Sequence, residues 1–124
     1  MTTTSWASFR VVKWCRESTS CSNVEKNDSA AASAFEGTWL DIALRDCGIT
    51  TVVIVGVALE IGVEPTIRHA ADLGYIPVAI TDACGAGDSQ AGQRSWETLQ
   101  FTGDTLLTDV DRFCAVLAQS TPPA

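Results

Sequence analysis

Two short segments of this 124-residue chain carry the residue types that can do chemistry. The first, Gly56-Val57-Ala58-Leu59-Glu60-Ile61-Gly62, follows an apolar run and leads straight into Val63-Glu64-Pro65-Thr66, where a helix can begin. Unpaired N–H groups at such a helix start, with the helix dipole behind them, stabilise a carboxylate or a developing oxyanion. Gly62 reads equally well as a residue that merely permits a tight turn from strand to helix. The second segment is Asp82-Ala83-Cys84-Gly85-Ala86-Gly87-Asp88. Cys84 is its best-placed thiol, but no histidine is near it in sequence and a buried thiol without an activating partner is inert. Asp82 reads as a cap for the Cys84–Gly87 loop rather than a liner of a crevice. The single histidine, His69, lies between Arg68 and Ala70 in a helical stretch and reads as a packing or subunit-contact residue. Arg68 and Asp72, four apart, read as a surface ion pair.

Whatever these residues do depends on the elements that hold them. Thr50-Thr51-Val52-Val53-Ile54-Val55 is β-branched throughout and does not alternate, which predicts a strand buried on both faces, as in a parallel sheet. Ile76-Pro77-Val78-Ala79-Ile80 predicts a second strand, with Pro77 near its start where a ladder bond can be spared. Between them Pro65 suits the first turn of a helix and Gly74 ends it. Upstream, Ser33 or Thr38 can cap a helix running to about Cys47 and closed by Gly48. Downstream, Asp88 or Ser89 opens a helix to about Phe101, Thr105–Leu107 forms a short third strand, and Thr108 or Asp109 opens a last helix through Ala118. This alternation predicts an α/β fold with three α/β/α layers around a parallel sheet. Ligands bind such sheets at the carboxyl ends of the strands, where both chemical segments fall.

Composition narrows the function. A length of 124 residues with 46% apolar and 19% charged residues suits one domain with a core. The net charge of −7 argues against nucleic acid as a partner, since such binders need a positive footprint. No apolar run approaches the ~18 residues of a membrane span, so no membrane partner is expected. The five cysteines contain no C-x-x-C pair and only one histidine is available to join them, so no metal and no cofactor is expected. An odd cysteine count without a signal peptide points to a reducing cytoplasm. The charge is unevenly placed: residues 1–26 hold Arg10, Lys13, Arg16 and Lys26 against Glu17 and Glu25, whereas residues 27–124 hold four arginines against thirteen acids. Residues 1–23 therefore read as an irregular, Ser/Thr-rich basic arm in which Phe9–Trp14 is at most a short strand. Residues 24–120 read as the folded domain and 121–124 as a tail.

The motifs Glu25-Lys26, Ser33-Ala34-Phe35-Glu36-Gly37-Thr38-Trp39-Leu40, Gly48-Ile49-Thr50-Thr51-Val52-Val53-Ile54-Val55-Gly56-Val57-Ala58, Val63-Glu64-Pro65-Thr66, Asp72-Leu73-Gly74-Tyr75 and Thr81-Asp82-Ala83 occur in that order. This ordered set resembles the isochorismatase-like, or cysteine hydrolase, superfamily over roughly Val24 to Cys114. The resemblance implies a Rossmann-like α/β/α hydrolase that acts on a small-molecule substrate, works as a homo-oligomer and needs no cofactor. Lys26 matches the family's catalytic lysine, with a spacer to Phe35 about three residues longer than usual; its ammonium would stabilise negative charge. The nucleophilic cysteine of the family falls at Gly62, which removes the thioester route. Isochorismatase itself has glycine there and cleaves a vinyl ether by acid–base chemistry, so the resemblance implies non-covalent hydrolysis of a small carboxylate-bearing metabolite. It also implies a cis peptide at Val57–Ala58 whose backbone, with the Gly62 N–H, forms an oxyanion pocket. The substrate-contacting positions are then Phe35, Val57, Ala58 and Ile61, while Trp39 serves an entrance or packs in a core.

One departure weighs against full activity. The family's aspartate ends its first strand, but the first 23 residues here contain no aspartate and Asp28 follows Lys26. The expectation is a domain lacking its first strand and helix, with an uncovered sheet edge prone to association. Such a chain is an impaired hydrolase, or a non-catalytic remnant or interaction subunit of an oligomer.

Overall fold

The computed structural model describes residues 10–12 and 31–120. Its centre is a four-stranded sheet in the order β1-β2-β3-β4, formed by β1 (Arg10–Val12), β2 (Thr51–Val57), β3 (Ile76–Gly85) and β4 (Leu106–Thr108). The last three strands run parallel, with Val53 opposite Val78 and Val78 opposite Leu106. Helix α1 (Leu40–Asp46) precedes β2, and α2 (Glu64–Asp72) crosses from β2 to β3. Helix α3 (Ser89–Thr102) crosses from β3 to β4, and α4 (Val110–Ser120) follows. No helix among the described residues is long and apolar enough to cross a membrane.

The β-branched run is buried on both faces, as its composition dictates. Val52 and Ile54 face one cluster with Leu40 and Leu44 of α1, Ile67 and Ala70 of α2, and Leu99 of α3. Val53 faces the other side, with Val78, Ile80 and Phe113 of α4. Successive side chains thus feed two helical layers, and the α/β/α arrangement follows from the period-2 pleat.

Several local expectations are corrected. The Gly56–Gly62 loop is not irregular: β2 runs through Val57, and Leu59–Val63 forms one π-helical turn before α2. The β3 strand does not stop at Ile80 but continues to Gly85, taking in half of the expected Asp82–Asp88 loop. A register shift after Ile54 lets Gly56 pair with Cys84 and Val57 with Gly85, so the last two residues of the extension find ladder partners. Gly85 suits that place because a Cβ there would come 3.1 Å from Val57 Cγ2. Ser33 does not cap α1; its Oγ pairs with His69 Nδ1 at 2.9 Å. Thr38 Oγ1 instead accepts from the Leu40 N–H at 3.3 Å and donates to Ala34 O at 2.6 Å. Arg68 reaches back to Glu64 at 3.7 Å and not forward to Asp72, the favoured order for an acid N-terminal to a base. Within the segment expected to be irregular, Arg10–Val12 pairs antiparallel with Val53–Val55, so β1 covers part of the β2 edge that was expected to be bare.

A polar knot locks α1 to the α2–β3 connection. The Tyr75 O–H lies 2.7 Å from Asp41 Oδ1 and 3.2 Å from Asp41 O. Arg45 Nε donates to both carboxylate oxygens of Asp41, Arg45 NH2 donates to Leu73 O at 2.9 Å, and the guanidinium lies 5.3 Å from the Tyr75 ring centroid. Burial, with the adjoining Asp41 carboxylate, pushes the Tyr75 phenol up to about 12, against the opposing charge of Arg45. Because Tyr75 is the sole tyrosine, phenolate absorbance reports this group alone. The folded chain is expected to ionise near 12, and the unfolded chain near the ordinary tyrosine value of about 10. The folded value is the higher one, so this group's stabilisation is complete below about pH 10 and is lost as pH rises toward the folded value. Titration of the folded protein near the unfolded value would contradict the knot, and Asp41→Asn is expected to move the midpoint downward.

Candidate active site

The carboxyl ends of β2 and β3 lie side by side, with Gly56 paired to Cys84 and Val57 to Gly85, and both chemical segments fall there. On the β2 side the Val57–Ala58 peptide is cis, at the position the family resemblance implied. The chain then turns sharply because three successive N–H groups, those of Ile61, Gly62 and Val63, donate to the single carbonyl of Ala58 at 3.2, 3.0 and 3.3 Å. Gly62 stands at the head of α2, where the sequence places it. Its N–H is committed to Ala58 O, so it is not the unpaired oxyanion donor that was expected. A π-helical turn draws these donors inward, and the turn's own carbonyl takes them.

Thr66 carries the position of Gly62 to a second loop. Its fully buried Oγ1 donates to Gly62 O at 2.7 Å and accepts from the Ala34 N–H at 2.9 Å. Together with the Ser33–His69 bond, this pins the Ser33–Thr38 segment against α2. His69 is therefore a packing histidine, with its ring centroid 5.5 Å from that of Phe35. Phe35 itself is 7% exposed and stacks on Tyr75 at 5.8 Å, a core position rather than an open pocket wall. Of the other expected contact positions, Val57 and Ile61 are 54% and 53% exposed, while Ala58 is buried. Trp39 is 80% exposed at the start of α1. Lys26 lies outside the described residues.

The β3 side is tied to the β2 side by a residue the sequence reading passed over. Glu60 Oε1 accepts from the N–H groups of Gly87 and Asp88, each at 2.8 Å, and so links the turn after β2 to the loop after β3. Its only sequence signal is an acid in an otherwise apolar loop. Asp88 in turn caps α3 by accepting from the Ala91 N–H at 2.8 Å. Asp82 does not cap the Cys84–Gly87 loop; it accepts from the Val110 N–H at 3.0 Å and so caps α4. β3 continues through that loop, which leaves Asp82 facing the neighbouring helix start. Glu64 Oε2 takes a 2.5 Å hydrogen bond from Ser95 Oγ. The acids around the crevice are thus engaged in holding elements together. Cys84 is half-buried, and its Sγ lies 3.9 Å from Ile54 O. Burial raises its thiol above the ordinary value, opposed by a backbone hydrogen bond at Gly56 and reinforced by the charge of Asp82. Among the described residues no three His, Cys, Asp or Glu side chains gather as a metal site.

Comparison with known proteins places this geometry. The sequence profile of the isochorismatase domain matches residues 13–110. The uncharacterized isochorismatase family protein YwoC of Bacillus subtilis is 56% identical over 50 residues, covering 40% of this chain and 26% of that protein. A ureidoacrylate amidohydrolase, RutB, of Klebsiella pneumoniae is 36% identical over 92 residues, 73% of this chain and 38% of its own length. Among solved structures, an isochorismatase-like hydrolase from Alkaliphilus metalliredigens superposes with a TM-score of 0.67 at 25% identity, covering 72% of this chain and 49% of that one. The chain spans about half the length of that hydrolase and less of the two curated relatives.

Two predictions follow from the site's packing and thiol chemistry. At neutral pH, iodoacetamide is expected to label Cys84 at least about tenfold more slowly than the exposed Cys47 and Cys114, because the thiolate is the reactive form. Equal rates, read by peptide mass spectrometry, would contradict the thiol environment described. Gly92→Ala is expected to destabilise the chain by about 1–3 kcal/mol through overpacking, since its Cβ would lie 2.5 Å from Ala86 Cβ. An unchanged denaturation midpoint would show that the Ala86 loop yields freely.

Proposed function

The chain belongs to the isochorismatase family, and from that membership we propose that it is a hydrolase of the non-covalent kind, acting on a small carboxylate-bearing metabolite. The observation that carries this reading is Gly62, a residue without a side chain, at the head of α2 where the family resemblance puts a nucleophile. Cys84 is a poor replacement for that thiol, because burial raises its thiol above the ordinary value and so disfavours the reactive thiolate. Hydrolysis then proceeds by proton transfer from a carboxylic acid to the vinyl carbon, attack of water on the resulting oxocarbenium carbon, return of that water's proton to the carboxylate, and collapse of the hemiketal to a carbonyl product and an alcohol, with no covalent enzyme intermediate. The positive end of α2 favours a substrate carboxylate. The two acids in that region are already engaged, Glu60 by backbone N–H groups and Glu64 by Ser95 and Arg68. Lys26 is assigned the electrostatic role. Ala58, Val57 and Ile61 form the contact surface, with Phe35 supporting it from the core.

Activity is expected to be weak, because the acids described around the crevice each serve a structural bond. A second reading is a non-catalytic subunit of a homo-oligomer in the cytoplasm, favoured by the exposure of Trp39 and Ile61. The test is to incubate the purified chain with isochorismate and with simple amides in 18O-labelled water, with hydroxylamine present to trap any acyl-enzyme. Slow vinyl-ether hydrolysis without a trapped adduct is expected, reduced about 100-fold or more in Lys26→Ala. A covalent adduct would overturn the non-covalent route. Absence of turnover with every substrate would favour the subunit reading, which sedimentation then checks through the oligomeric state.

A further inference from the structure

We propose that Glu60 is a positioning residue that ties the turn after β2 to the loop after β3 and so fixes how the two loops sit beyond the paired strand ends; this rests on the hydrolase reading for its functional meaning. Glu60 lies between the Val57–Ala58 peptide and Gly62, in the turn that begins α2. Its Oε1 takes two N–H groups from Gly87 and Asp88, twenty-seven and twenty-eight residues away, and both bonds are 2.8 Å. A carboxylate accepting backbone N–H groups makes stronger bonds than a neutral acceptor. Asp88 is also the cap of α3, so a single carboxylate connects the end of β2 to the start of that helix. The fit is reciprocal: a Cβ at Gly87 would stand 2.8 Å from Glu60 Oε1 and 3.7 Å from the Ala58 Cβ. Glycine at 87 is therefore what admits the carboxylate.

The other oxygen marks this as more than an ordinary cap. Glu60 Oε2 is buried and, among the described residues, has no hydrogen-bond partner. A buried acceptor left without a donor is costly. A carboxylate that spans the crevice, held by one oxygen with the other unpaired, suits a group that must reach between two loops. The consequence for the reaction is geometric. The strand ends are already paired through Val57 and Gly85; beyond that pair Glu60 fixes how the Ala58–Gly62 turn sits against Gly87 and Asp88, and a small misplacement there is felt in turnover.

The experiment uses the full chain and four variants: Glu60→Ala, Glu60→Gln, Gly87→Ala and the double variant Glu60→Ala/Gly87→Ala. Amide hydrogen exchange is read at Gly87 and Asp88, with Val52–Ile54 in the core strand as the reference. Glu60→Ala and Gly87→Ala are each expected to speed exchange at Gly87 and Asp88 by about tenfold or more while the reference amides are unchanged. Glu60→Gln keeps a carbonyl acceptor and is expected to restore protection to within about threefold. The double variant is expected to match either single variant, because both remove the same contact. Unchanged exchange in Glu60→Ala, additive effects in the double variant, or a Gln variant as exposed as the Ala variant would each overturn the clamp. In the hydrolysis assay Glu60→Ala is expected to raise KM and lower kcat together, with both recovered in Glu60→Gln. An unmodified chain without turnover would overturn the hydrolase reading and leave the exchange result to decide the clamp.

Discussion

Three N–H groups converging on the carbonyl of Ala58 are the contact on which the remaining architecture hangs. They reverse the chain between the end of β2 and the start of α2, and they set Gly62 at the helix head. From there the constraint passes outward in discrete steps. The Gly62 carbonyl accepts from Thr66, Thr66 accepts from Ala34, and the segment beginning at Ser33 is thereby laid against α2. Phe35 then stacks on Tyr75, and Tyr75 bonds Asp41 of α1. A single turn thus fixes the crevice floor and, through it, the placement of the first helix.

The acidic excess has structural work of its own. Asp88 and Asp109 accept N–H groups in the first turns of α3 and α4, Asp82 accepts a further one at α4, and Glu60 bridges two loops. Carboxylates are favoured at helix starts because they meet unpaired donors and the positive end of the dipole together. The net charge of −7 is therefore distributed through the joints of the fold as well as over its surface. The candidate site thus combines a thiol-free helix head with carboxylates that act as ties.

Elements defined by local rules were legible in the sequence. The β-branched residues 52–54 announced a two-sided buried strand, Pro65 a first helical turn, and Asp88 the cap of α3. The ordered motifs identified the family, to which the domain profile and the solved structures also lead. Elements that depend on a distant neighbour were not legible. β3 reaches Gly85 with its last two residues, Cys84 and Gly85, paired to Gly56 and Val57 of β2 after a register shift, and no property of Thr81–Gly85 alone requires it. Phe9–Trp14 left a short strand open as one reading, and Arg10–Val12 becomes that strand because β2 offers it an edge.

By itself, then, the sequence determined the family, the α/β order and the excess of acid. These follow from residue identity and from contacts within about four positions, which periodicity, caps and turns record directly. Only the tertiary structure decided what each polar group holds. Asp82 turned to Val110, Arg68 to Glu64, Ser33 to His69, and Glu60 to two amides across the crevice. A carboxylate or hydroxyl accepts any well-placed donor, so its own residue type does not specify a partner. That choice belongs to the packing that brings distant backbone N–H groups within reach.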